Sequence, residues 1–269
     1  MTIRVGVTGA AGRMGRAIIE LLAEVDDLAF CAAIEQPGSD FIGADAGEIA
    51  NVGKLDVAIT DTLSTELARL DVLIDFSHPS SAAENARQCA AAGRRIVIGT
   101  TGLSETERGG VLSAGEESAI VLAPNMSIGV NLCFKLAEVA ARALGDDVDI
   151  EIIEAHHKHK IDAPSGTALR MGEIVADTLG RDLKECAVYG RGGRGGQRGV
   201  KTIGFETIRA GDIVGDHTVM FAGSGERIEI VHRAASRSTF ATGALRSARW
   251  VMGKGPGVYD MQDVLGLRD

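Results

Sequence analysis

At 269 residues the chain can hold one large domain or two modest ones, and a 45 % hydrophobic fraction supplies a full core. A formal net charge of −9 argues against non-specific nucleic-acid binding by the whole molecule, so any anion site must be a local basic patch. Aromatics are scarce at 4 %, while glycine and alanine are abundant, which suits tightly packed α/β layers.

Residues 3–8 (IRVGVT) read as a short apolar strand ending at Gly9. From Gly12 to Glu24 the apolar residues Met14, Ile18, Leu21 and Leu22 recur at helical spacing. A second strand, 28–34, ends at Glu35, and buried-type strands are expected at 56–59, 72–76, 95–99 and 119–123. Helices are expected at 80–92 and 104–117. Continuous apolar strands alternating with helices predict a Rossmann-like, doubly wound parallel sheet covered on both faces. Near residue 127 the pattern changes. A long helix (128–144), a strand (148–155) and a helix at 166–179 precede segments 201–208, 216–222 and 226–233, which alternate as a mixed sheet does. A last helix, 238–252, is expected to return to the first domain. The expected fold is therefore α/β: a dinucleotide-binding domain at 1–127, an inserted α+β domain with a mixed sheet at 128–236, and a return segment at 237–269. Four cysteines (Cys31, Cys89, Cys133 and Cys186) show no CxxC, no targeting pattern precedes the first strand, and no apolar run approaches membrane-spanning length. The expectation is a soluble cytoplasmic protein with reduced thiols and no membrane partner.

The turn Gly9-Ala10-Ala11-Gly12-Arg13-Met14-Gly15 follows a strand and opens a helix. Its GxxGxxG spacing fits a tight turn at Gly9, backbone approach to a pyrophosphate at Gly12, and helix–strand packing at Gly15. Glu35 lies twenty residues past Gly15, where an acid binds adenosine ribose hydroxyls. Gln36 is neutral where a basic residue would hold a 2′-phosphate, so NADH is the preferred cofactor and NADPH a possible one; Arg13 and Arg16 partly compensate. The loops Gly99-Thr100-Thr101 and Ala123-Pro124-Asn125-Met126 end parallel strands at the expected cofactor edge.

Residues 151–170 read EIIEAHHKHKIDAPSGTALR. His156, His157, His159 and Lys160 stand just before a Pro-Ser-Gly-Thr helix start, where unpaired backbone N–H groups favour anions. Ser165 and Thr167 add hydroxyls, and Gly166 allows close approach. A metal reading of the histidines is disfavoured, because Lys160 would oppose a cation, so no metal is expected. Proton transfer beside a bound anion fits best. The stretch 190–199, GRGGRGGQRG, has too few RGG units in too acidic a chain for nucleic-acid binding, and a mobile loop or flap is expected. Lys201, Arg209 and Arg237 are read as ordinary basic residues.

The stretches VGVTGAAGRMGR, VIGTTG, EAHHKHKIDAPSGTAL and AGDIVGDHTVMF, in register over nearly the whole chain, resemble the 4-hydroxy-tetrahydrodipicolinate reductase (dihydrodipicolinate reductase) family. The resemblance implies an NAD(P)H-dependent oxidoreductase of diaminopimelate and lysine biosynthesis that acts on a small cyclic dicarboxylate and assembles as a homotetramer through the inserted domain. It implies that Gly9 to Met14, Glu35, Gly99–Thr101 and Ala123–Met126 bind the cofactor. It assigns proton transfer to His156 and Lys160, and substrate binding to His157, Gly166 and Thr167 with Ser165 beside them. Rival readings are another reductase on this scaffold, a dinucleotide-sensing subunit, and an RNA binder using Arg191, Arg194 and Arg198.

Overall fold

A computed structural model describes residues 2–268. They divide into two compact units, residues 2–128 with 237–268, and Gly129–Ser236. The first unit runs β1 (Ile3–Thr8), α1 (Arg13–Leu22), β2 (Leu28–Ile34), α2 (Ala46–Ile49), β3 (Ile59–Thr60), α3 (Leu63–Glu66), β4 (Val72–Asp75), α4 (Pro79–Ala91), β5 (Arg95–Ile98), α5 (Glu105–Gly115) and β6 (Ala119–Leu122). Helix α6 (Ile128–Leu144) leads into the second unit: β7 (Asp149–His156), α7 (Gly166–Thr178), α8 (Leu183–Cys186), β8 (Ala187–Tyr189), β9 (Ile203–Arg209), β10 (Gly215–Ala222) and β11 (Arg227–Ala234). The chain then returns through α9 (Ser238–Val251), β12 (Gly257–Tyr259) and α10 (Met261–Leu265).

The first unit holds a seven-stranded parallel sheet in the order β12-β6-β5-β4-β1-β2-β3. Successive side chains of a strand point to opposite faces. In β4 this sends Val72 and Ile74 into one core, with α1 and α9 residues, and Leu73 into the other, with α4 and α5 residues. Burial on both faces explains why these strands are apolar throughout. Truncating a fully buried residue such as Ile74 to alanine would cost about 2–5 kcal/mol. Helix α9 contributes Ala241, Ala244, Leu245, Ala248 and Val251 to the same core as Ile18 and Ile19 of α1.

Two strands of the first unit differ from the sequence expectation. The strand expected at 56–59 is reduced to Ile59–Thr60. Asp45, the N-cap of α2, accepts hydrogen bonds from the backbone of Leu55 and Val57, and Asp56 adopts φ 55°. Backbone held by a cap in that way cannot join a strand ladder, so pairing with β2 begins only at Ile59. Beyond α9, the short edge strand β12 lies parallel to β6; three residues carry too little periodicity to announce themselves.

The second unit is a mixed five-stranded sheet in the order β11-β10-β7-β9-β8. Strand β10 is antiparallel to β7 and β11, whereas β9 is parallel to β7 and β8. One face packs Ile150, Ile152, Ile203, Phe205, Val219 and Phe221 against α6 and α7, including Phe134, Ala137, Met171 and Val175. The other face leaves Ile208 and Val231 exposed. Among the described residues no helix is long and apolar enough to cross a membrane.

Candidate active site

In the first unit the turn after β1 creates a recess. Gly9 has φ +69°, and a Cβ there would lie 2.3 Å from the Phe76 carbonyl oxygen. A Cβ on Gly15 would lie 2.1 Å from the Gly9 carbonyl oxygen, so only glycine lets α1 approach the turn. Gly12 caps α1 without a side-chain hydrogen bond, which leaves the helix start open to a ligand's oxygens. Glu35, at the end of β2, holds the turn: its Oε1 accepts from the Ala11 amide at 2.8 Å and its Oε2 from the Gln36 amide at 3.2 Å. The adjoining cavity measures about 400 Å³ and is lined by residues including Gly9, Gly12, Glu35, Gln36, Asp61 and Phe76. Arg13 is exposed, and Met14, Ala11 and Glu35 are half-buried, while Ala10 is buried.

Behind the recess Asp75 is fully buried at the end of β4. Its oxygens accept from the hydroxyls of Thr8 (2.8 Å), Thr100 (2.6 Å) and Ser77 (2.9 Å), and from the Asn85 amide (2.7 Å). The Thr100 hydroxyl thus ties the end of β5 to the end of β4. Gly99 lies against the Phe76 ring, where a Cβ would come within 2.2 Å, and Thr101 is exposed. Of the 123–126 loop, Ala123 and Met126 are buried, Pro124 is exposed, and the Asn125 side chain accepts from the Ser127 amide at 2.9 Å. The glycine turn, open helix start, flanking acid and cavity fit a dinucleotide.

The second unit gathers the other predicted residues around the carboxyl end of β7. His156 closes that strand and is 8 % exposed. Its Nδ1 lies 2.6 Å from Oε2 of Glu154, which is itself 1 % exposed. Arg209 donates to both Glu154 oxygens, at 2.8 and 2.7 Å, and Thr207 and the Ser165 amide donate to Oε1 at 3.2 and 3.1 Å. Burial pushes the Glu154 carboxyl up, but the bonds from Arg209 and His156 outweigh it and hold the group below the usual carboxylate range. Burial likewise lowers the His156 imidazole, and the Glu154 bond only partly offsets it.

Ser165 caps α7: its Oγ accepts from the Ala168 amide at 3.2 Å and pairs with His217 Nε2 at 2.9 Å. His217 meets the His156 ring edge-on, with centroids 5.1 Å apart, and burial first, then the neighbouring His156, drives its pKa down to about 3. Gly166 is exposed, and a β-carbon there would meet nothing within 4 Å; Thr167 is half-buried beside it. His157 turns away on the next residue, with its amide donating to the Ile213 carbonyl at 2.7 Å and its ring 6.2 Å from that of His159. Lys160 lies 2.9 Å from Asp162. The second unit therefore offers a buried imidazole, an ammonium and a helix start within one strand-to-helix connection.

Sequence reasoning missed Glu154, Thr207, Arg209, His217 and Asp75. For Glu154 a signal existed: it shares the inward parity of Ile150 and Ile152, where an acid must be paired. Arg209 and His217 gave none, since their partners arise from registers Arg209↔His156 and His217↔Glu154. Both ends of the RGG-like stretch are ion-paired to β7. Arg191 donates to both Glu151 oxygens (2.8 and 2.9 Å), and Arg198 to Glu151 (3.0 Å) and Asp149 (2.6 Å). Among the described residues no His/Cys/Asp/Glu group could hold a metal ion.

Two family models match the chain, one described as dihydrodipicolinate reductase, N-terminus, over residues 3–126, the other as dihydrodipicolinate reductase, C-terminus, over residues 129–265. A 4-hydroxy-tetrahydrodipicolinate reductase of Alkalilimnicola ehrlichii is 62 % identical over 267 residues, covering 99 % of this chain and 100 % of that one. Among solved structures, a dipicolinate-bound dihydrodipicolinate reductase from Paenisporosarcina sp. TG-14 superposes with a TM-score of 0.79 at 25 % identity, over 98 % of this chain and 99 % of that one. A probable dehydrogenase from Thermotoga maritima (TM-score 0.62, 12 % identity, 97 % and 92 % covered) shares the fold.

Proposed function

This chain belongs to the dihydrodipicolinate reductase family and is an oxidoreductase, and we propose that it reduces 4-hydroxy-tetrahydrodipicolinate to tetrahydrodipicolinate as follows. The observation that carries the reading is the pairing, in one loop, of a buried imidazole at the end of β7 with the Ser165-capped start of α7. That combination suits an anionic substrate that must receive a proton.

The substrate is a cyclic dicarboxylate whose loss of water leaves a conjugated imine. Gly9 and Gly12 would hold a reduced dinucleotide, whose nicotinamide would supply the hydride for ring carbon C4. The displaced electron pair moves through the conjugated system to nitrogen, giving an enamine that takes a proton at C3. Lys160 and the α7 start, at Gly166 and Thr167, anchor the carboxylates and orient the ring. Ser165 acts through its cap, because its hydroxyl is already engaged with Ala168 and His217. His156, once its Nε2 has taken up a proton from solvent, hands that proton over at C3, with Lys160 as the second candidate donor and His157 lining the substrate. Turnover unchanged in His156→Gln but abolished in Lys160→Ala would transfer the role to lysine.

Glu35 sits where ribose hydroxyls would be held, and Asp61 lines the same cavity. With Gln36 neutral, the recess disfavours an extra phosphate, so NADH is the preferred cofactor. The uncovered sheet face with Ile208 and Val231 supports self-association into a homotetramer, which light scattering would test. A cytoplasmic location is the matching expectation for an enzyme of diaminopimelate and lysine biosynthesis. The deciding experiment follows NADH and NADPH absorbance after mixing with substrate freshly made from pyruvate and aspartate semialdehyde by the preceding synthase. Faster loss of NADH supports the whole reading. A lead for NADPH keeps the reaction and removes the cofactor argument, and tight dinucleotide binding without turnover replaces the enzyme by a sensor.

A further inference from the structure

We propose that Glu154 is a positioning residue of this reaction: its carboxylate fixes His156 in the Nδ1–H tautomer and keeps the imidazole in register with the anion-binding start of α7. The inference rests on the proton-transfer role given to His156 above. It goes further by naming which ring nitrogen works and what holds it.

The argument begins with the cost of the residue. An acid that is 1 % exposed, on the inward parity of an apolar strand, must be compensated by several donors, and a leucine there would be the simpler core solution. The donors around Glu154 come from three separate elements. Oε1 accepts from the Ser165 amide, Thr207 and Arg209; Oε2 accepts from Arg209 and faces His156 Nδ1 at 2.6 Å. A guanidinium across both oxygens keeps the group ionised, and an ionised carboxylate only accepts hydrogen bonds. The nitrogen facing it must therefore carry hydrogen. Nε2 is left as the sole ring nitrogen that can take up and release a proton.

The same carboxylate joins the imidazole to the substrate cradle. The Ser165 amide on Oε1 and the His156 ring on Oε2 are held by one rigid planar group. On its other side the ring is braced edge-on by His217, which is itself anchored to Ser165 Oγ. Arg209 neutralises the charge of Glu154, so the carboxylate directs the ring without pinning it as an imidazolium. Placement of the reacting groups to within a fraction of an ångström is worth a large share of a catalysed rate.

The test labels the full chain with ¹⁵N-histidine and reads long-range nitrogen–proton correlations above the ordinary imidazole pKa, assigning His156 by the signals lost in His156→Gln. The wild-type ring is expected as the Nδ1–H tautomer. Glu154→Gln keeps the shape and the acceptor facing Ser165, but turns an amide donor toward His156. Its ring is expected as the Nε2–H tautomer, with kcat down about 10²-fold, in line with loss of one general acid, and KM changed by less than about threefold. A merely structural Glu154 would lower thermal stability and leave the tautomer unchanged. A wild-type Nε2–H ring overturns the proposal even if the variant fails to fold, as does a variant whose tautomer or kcat stays that of wild type. The tautomer is read without turnover, so a failure of the proposed reaction is separable from a failure of this assignment.

Discussion

Removing one oxygen atom, in Ser165→Ala, tests the reasoning about the second unit most directly. Ser165 is 2 % exposed, and its Oγ both caps α7 at Ala168 and pairs with His217 Nε2. Loss of a serine N-cap costs about 1 kcal/mol. Leaving His217 Nε2 unpaired adds about 1–3 kcal/mol, because that ring is 4 % exposed and its Nδ1 already has no hydrogen-bond partner. The sum is about 2–4 kcal/mol. Urea unfolding followed by circular dichroism would read it as a lower midpoint at unchanged slope. The paired variant Ser165→Ala/His217→Leu removes the orphaned nitrogen and is expected to recover about 1–2 kcal/mol of coupling in a double-mutant cycle. A single variant within about 0.5 kcal/mol of wild type, or strictly additive variants, would refute the energetic account of this pair. The hydroxyl is engaged with Ala168 and His217, so KM in Ser165→Ala should rise modestly through a loosened helix start.

Acid should weaken the fold through His217. Its folded pKa is depressed to about 3 by burial, so the unfolded chain binds the proton more readily. The stability it confers is whole above the ordinary pKa near 6.5 and is lost as pH falls from there toward about 3, at up to about 1.4 kcal/mol per pH unit. Urea midpoints over that window should fall in wild type and fall less in His217→Leu; parallel curves would contradict the assignment. In the first unit, Gly9→Ala places a β-carbon 2.3 Å from the Phe76 carbonyl oxygen at φ +69°. The strain alone is about 1–2 kcal/mol, and nicotinamide fluorescence titration should show dinucleotide affinity down about tenfold or more; unchanged affinity would remove the turn from the cofactor site. Gln36→Arg supplies the charge that a 2′-phosphate lacks. A charged hydrogen bond of about 1.5–3 kcal/mol predicts a tenfold or larger gain in kcat/KM for NADPH, and no gain would show that the phosphate lies elsewhere.

What could be read from the sequence was what short stretches of chain impose on themselves. Gly9 and Gly15 mark a turn that no side chain tolerates, and strands apolar on both faces can only be the middle layer of a covered sheet. Ser165 before Gly166 announces a cap, and the crowding of His156, His157 and Lys160 beside it announces chemistry. Each of these follows from backbone sterics or local periodicity within a few residues. What tertiary structure decided was which distant groups answer them. Asp45 claims the backbone at Leu55 and Val57 and erases most of an expected strand, a competition that a propensity reading of 56–59 does not contain. Arg209 looks like any surface arginine until parallel pairing sets it opposite His156 and beside Glu154. His217 reads as one polar residue in an alternating strand until antiparallel register sets it opposite Glu154, within reach of Ser165. Strand register is fixed by the burial of whole faces, a property of the assembled sheet and not of any one segment. The electrostatics of the imidazole therefore become defined only when the sheet closes around Glu154.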